Sequence, residues 1–115
     1  MINKVKYINY YMMGWIKMSK TDYIIKVTRL KKVFGFAIPF ELYVDDQKIG
    51  SLSNGKSFDC IVKEGTHKVI IKSLEKEYEQ EVTLNKEHKK VEISLTAAMG
   101  LVAARPNIKE VKYFE

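Results

Sequence analysis

From Asp22 onward, apolar and polar residues alternate one by one in short runs, and that alternation leaves few folds open. Phe40, Leu42 and Val44 alternate with Glu41, Tyr43 and Asp45. In "THKVIIKS", Val69 and Ile71 alternate with Lys68 and Lys72. "EYEQEVTL" sets Tyr78, Val82 and Leu84 against Glu77, Glu79, Glu81 and Thr83, and "KVEISL" sets Val91, Ile93 and Leu95 against Lys90, Glu92 and Ser94. A period of two is the mark of a strand with one buried face, and β-branched and aromatic residues suit a pleated surface. "DDQK", "SNGK", "KEGT", "LEKE" and "NKEH" punctuate the runs at roughly 8–12-residue spacing. The pattern predicts an all-β fold, an antiparallel β-sandwich of about seven to eight short strands. Asn54-Gly55 is the strongest turn signal, since both residues tolerate the positive φ of a tight hairpin. The tail "LTAAMGLVAARPNIKEVKYF" reads as two more strands bent at Gly100 and Pro106, or else as a short helix through Ala97–Ala104.

A length of 115 residues is that of one domain, and 46% hydrophobic with 30% charged residues is a globular composition. Cys60 is the only cysteine, which excludes an internal disulfide and an all-cysteine zinc site within one chain. It is compatible with the reducing cytoplasm, the expected compartment, with a peripheral membrane location as the alternative. The net charge of +6 is unevenly placed: Lys4, Lys6, Lys17 and Lys20 fall in an acid-free opening, and Glu75, Glu77, Glu79 and Glu81 in an acidic stretch.

Residues 1–17 follow neither a strand nor a helix period and are set apart as an N-terminal extension to a single domain over 18–115. Met13-Gly14-Trp15 must be encoded ATG-GGN-TGG, a guanine-rich run just upstream of Met18. That resembles a bacterial ribosome-binding site before a start codon, so translation is expected to begin at Met18. The net charge without Lys4, Lys6 and Lys17 would be +3, the +6 of the whole sequence less three. The alternatives are a segment docked on the domain, or an interfacial membrane anchor built from Tyr7, Ile8, Tyr10, Tyr11, Trp15 and Ile16 with lysines near both ends.

Few residues suggest chemistry. Asp45 and Asp46 in "YVDDQKIG" are read as a turn, because Asp tolerates tight connections. A calcium loop needs spaced oxygen ligands and a distal glutamate, and here Lys48 occupies the loop. Cys60 shares parity with Phe58 and Val62 and is expected in the core as an inert hydrophobe. His67 shares parity with Val69 and Ile71 and is expected to bond backbone at a strand entrance, while His88 is placed in a solvated turn. Two histidines and one cysteine without short ligand spacing predict no metal, and no phosphate loop, nucleophile elbow or HExxH motif is present. No cofactor is expected. The one candidate binding surface is basic: Lys26, Arg29, Lys31 and Lys32 beside Phe34 and Phe36 offer contacts to an anionic surface. The plainer alternative is a charged strand end with the phenylalanines in the core.

"YVDDQKIG", "VKEGTHKVIIK" and "YEQEVTL" together resemble the PEGA domain, a small bacterial β-sandwich module. The resemblance runs from Leu42 to about Leu84, under half the chain, and Pro39-Phe40-Glu41-Leu42 stands in place of the namesake Pro-Glu-Gly-Ala. Related carboxypeptidase-regulatory-like sandwiches fit nearly as well. The resemblance implies a non-catalytic module appended to surface or signalling functions, and it carries no binding residues. The resulting expectation is a non-enzymatic interaction or structural module with a protein partner. A peripheral membrane protein is the second reading and a nucleic-acid binder through Lys26–Lys32 the third.

Overall fold

The computed structural model describes residues 6–8, 22–33, 38–100 and 103–115. Among the described residues nine strands follow one another: β1 (Lys6–Ile8), β2 (Tyr23–Arg29), β3 (Phe40–Val44), β4 (Gln47–Leu52), β5 (Ser57–Val62), β6 (Gly65–Lys72), β7 (Glu77–Leu84), β8 (Lys90–Ala98) and β9 (Arg105–Phe114). They form two sheets, one ordered β1-β5-β2-β8-β9 and the other β4-β3-β6-β7. The all-β sandwich expected from the alternation is the fold. One pair departs from the antiparallel pattern: β2 runs parallel to β8, with Ile25 opposite Val91 and Val27 opposite Ile93. No helix among the described residues is long and apolar enough to cross a membrane.

The core lies between the sheets and is built from the predicted parity. Leu42, Val44, Val69 and Ile71 of one sheet face Ile25, Val27, Val91 and Ile93 of the other, all fully buried. β4 breaks the period: Leu42 pairs with Gly50 but Tyr43 with Lys48, so Ile49 is an extra residue in that strand. The bulge lets both Ile49 and Leu52, three positions apart, point inward. On edge strand β7, the exposed Glu77, Glu79 and Glu81 are the charged guard that keeps an open edge from pairing with another chain.

The turns divide the work differently from the sequence reading. The tight hairpin is at Asp45-Asp46, where both residues take positive φ (51° and 67°) and Val44 pairs with Gln47. Asn54-Gly55 makes no hairpin and instead carries the chain from β4 in one sheet to β5 in the other. Only Gly55 has positive φ there (78°), and Lys56 donates to the Ser53 carbonyl at 3.0 Å. Asn54 is held because its carboxamide bonds both the N–H and the C=O of Lys32, each at 2.9 Å.

The tail adopts the strand reading. Ala97 and Ala98 belong to β8, so the helix beginning at Ala97 does not form. Gly100 lies in the β8–β9 connection, where a Cβ would collide with the Ala103 carbonyl oxygen and Glu75 Oε1. Pro106 marks no bend: it sits inside β9 opposite Ala97, tolerated because β9 is an edge strand. Within residues 1–17, Lys6–Ile8 pair with β5 as an edge strand. The remainder of that segment and Met18 lie outside the described residues, as do Phe34 and Phe36.

Candidate functional site

The four cationic residues grouped by sequence separate into three environments. Lys26 faces outward from the middle of β2, between Asp59 of β5 and Glu92 of β8 across the strands. Two acidic neighbours make that spot a poor anion site. Arg29 shares the inward parity of Tyr23, Ile25 and Val27 and has no exposed surface. Its Nη1 donates to the Leu52 carbonyl at 2.9 Å and the Ile38 carbonyl at 3.1 Å, and its guanidinium lies 4.1 Å from the Phe40 ring centre. Burial lowers its pKa, though a guanidinium stays charged in proteins. Arg29 is therefore a core fastener and not a surface ligand. Lys31 and Lys32 alone are exposed together, in the connection after β2, with Lys32 Nζ donating to the Ala97 carbonyl at 3.2 Å.

A second cluster joins residues that the sequence leaves far apart. Asp45 of the hairpin accepts the Lys68 N–H on Oδ1 at 2.9 Å, and its Oδ2 lies 2.5 Å from His67 Nδ1. His67 Nε2 lies 2.7 Å from the Lys63 carbonyl. The backbone bond was expected and the carboxylate partner was not. With an oxygen acceptor at each nitrogen, both contacts are hydrogen bonds when each nitrogen carries a proton. An Asp–His pair is two-thirds of a hydrolytic triad, but a triad needs Nε2 to face a nucleophile. Here Nε2 faces backbone, and only 5% of His67 is exposed. The arrangement ties the β3–β4 turn to the entrance of β6 and is structural.

The carboxylate pair does turn the chain, and Asp45 does more besides. Asparagine keeps the turn chemistry and an acceptor for Lys68, but it removes the charged partner of His67. Asp45→Asn is accordingly expected to cost about 1.5–3 kcal/mol, as charge-assisted hydrogen bonds do. Asp46 only meets Lys68 Nζ at 3.2 Å on the surface, so Asp46→Asn should cost below about 1 kcal/mol. Urea midpoints of the two variants check this, and added calcium should move neither, since His67 and Lys68 already engage the Asp45 and Asp46 carboxylates.

Cys60 is fully buried, and burial pushes its thiol up to about 12, with Asp59 adding to the effect. A thiol so placed supplies no thiolate at neutral pH. His88 is exposed, with its ring edge-on to Tyr113 at 5.5 Å.

The feature that sequence reading missed is where the exposed aliphatics gather. The registers Arg29↔Leu95, Glu41↔Lys72, Phe40↔Leu52 and Thr28↔Ser57 place four connections at one end of the sandwich: those after β2, β4, β6 and β8. Leu30, Val33, Ile38, Leu74 and Met99 are all exposed there, Val33 at 77%, Leu74 at 74% and Met99 at 91%. Glu75 crosses this end to bind Arg105 Nη2 at 2.6 Å and the Ala103 N–H at 3.1 Å. Exposed Lys31, Lys32, Lys56 and Lys76 stand among the aliphatics. No family model, curated protein or solved structure matches the chain. The opposite end differs sharply, being laced by Asp22–Lys63, Asp45–His67 and Asp46–Lys68.

Proposed function

We propose that the protein is a non-catalytic β-sandwich module that holds a partner through its loop end. The observation that carries this reading is that, among the described residues, the five exposed large aliphatic side chains all lie on the connections of one end. Single exposed aliphatics are ordinary, but a group of them on a small domain marks an interaction surface. The groups best suited to chemistry are otherwise engaged: Cys60 is sealed in the core, and His67 is closed between Asp45 and Lys63. The PEGA-like turn motifs between Leu42 and Leu84 support the same reading, as does their family's role as an appended module. Nucleic-acid binding through Lys26–Lys32 loses support, because Arg29 is a core residue and Lys26 sits between acids.

The test is a photo-reactive benzophenone amino acid placed in the full chain at Val33, Met99 or Lys86 and irradiated in the native cells. Val33 and Met99 should give abundant protein or lipid adducts, and Lys86, at the other end, should give few. Equal yields at the three positions would remove the loop end as an interaction surface.

A further inference from the structure

We infer that the loop end docks on an anionic lipid bilayer, its aliphatic tips entering the interface while its lysines meet the headgroups. The inference rests on the reading of that end as the interaction surface and adds the class of partner. Three observations point to lipid. The apolar groups are separate tips on different connections, with Val33, Leu74 and Met99 each about three-quarters or more exposed. Separate tips can each enter a fluid interface, whereas a protein partner would need matching pockets in fixed positions.

Charge points the same way. The exposed cations among the tips are Lys31, Lys32, Lys56 and Lys76, and Glu77, also exposed, borders them. The carboxylate of Glu75 is bound by Arg105, and Glu77 lies 3.9 Å from Lys72. The face is therefore positive, as an anionic leaflet requires. Lysine is also depleted from the cores of protein interfaces, where arginine and aromatics are favoured, yet it is a headgroup ligand at membranes. Finally, the lysines are placed to spread over headgroups: Lys31 and Lys32 follow β2, Lys56 precedes β5 and Lys76 precedes β7.

The experiment is co-sedimentation of the full chain with vesicles of phosphatidylcholine alone or of phosphatidylcholine mixed with phosphatidylglycerol. Binding is expected to the mixed vesicles and to be much weaker on phosphatidylcholine. Each of Val33→Ser, Leu74→Ser and Met99→Ser should lower partitioning roughly tenfold, the effect of losing one buried aliphatic side chain. Lys31→Glu and Lys56→Glu should each lower it about fivefold or more, whereas Lys86→Glu and Lys89→Glu at the other end should change it little. All seven positions are exposed, and circular dichroism of each variant confirms that the fold is kept. Absence of binding to mixed vesicles, or equal losses from lysine reversal at both ends, overturns the proposal. If vesicles fail but the benzophenone at Val33 and Met99 still captures a protein, the interaction surface stands and its partner is a protein. If both fail, the loop-end reading falls with the proposal.

Discussion

Arg29→Glu is expected to abolish the folded state, while Lys31→Glu, two residues away, leaves stability within about 0.5 kcal/mol of the parent. Arg29 has no exposed surface, and its guanidinium joins the Ile38 carbonyl before β3 to the Leu52 carbonyl at the end of β4. Both acceptors belong to the sheet opposite β2 or to its connection, so one side chain fastens the two layers. A glutamate there would bury a carboxylate against carbonyl oxygens and the face of Phe40. A carboxyl group buried there without matching donors, ionised or neutralised, adds several kcal/mol to the loss of both carbonyl bonds, against the ~5–15 kcal/mol that holds a domain together. Arg29→Met keeps much of the volume but leaves the carbonyls without their donor, and should cost about 2–5 kcal/mol. Arg29→Lys should fall between the parent and Arg29→Met, since an ammonium retains the charge and a donor without the fork. Urea denaturation followed by circular dichroism orders the variants. Parent-like stability of Arg29→Glu would mean that the side chain lies at the surface.

The same residue shows how a sequence can be read correctly and still misassigned. Counting in twos from Tyr23 passes through Ile25 and Val27 and arrives at Arg29, so its inward placement was available from parity. Grouping Arg29 with Lys26, Lys31 and Lys32 as one basic surface overlooks that parity. Strand periods were legible because each depends on local alternation, and the buried set of Val44, Val69, Ile71, Val82 and Ile93 follows from it directly. Features that depend on which strands become neighbours were not legible. Val44 and Gln47 pair across Asp45-Asp46, whereas β4 and β5 separate into different sheets around Asn54-Gly55. The choice between hairpin and crossover is made by packing, and Asn-Gly serves either. The Asp45–His67 contact spans 22 residues and exists only because β3 lies beside β6. Likewise Leu30, Leu74 and Met99 belong to three connections whose shared end is a consequence of topology, with no signature in any one segment.

Ile71→Ala is expected to cost about 2–5 kcal/mol and Lys72→Ala at most about 0.5 kcal/mol. Ile71 lies in β6, opposite Leu42 of β3 and Tyr78 of β7, and is fully buried. Truncation removes three carbons' worth of buried surface from the middle of the core. The surrounding strands cannot close on the space because both flanking ladders fix the backbone of β6, so a cavity term adds to the lost transfer energy. Lys72, the next residue, points to solvent, where its ammonium is 3.9 Å from Glu77 and 5.3 Å from the Tyr43 ring centre. An exposed pair of that length contributes little. Unfolding midpoints with unchanged denaturant slopes would assign the difference to the native state, since the slope tracks the surface exposed on unfolding. Equal losses at the two positions would contradict the parity of β6. A one-residue slip of that strand would exchange every inward and outward side chain along it, carrying His67 away from Asp45 as well.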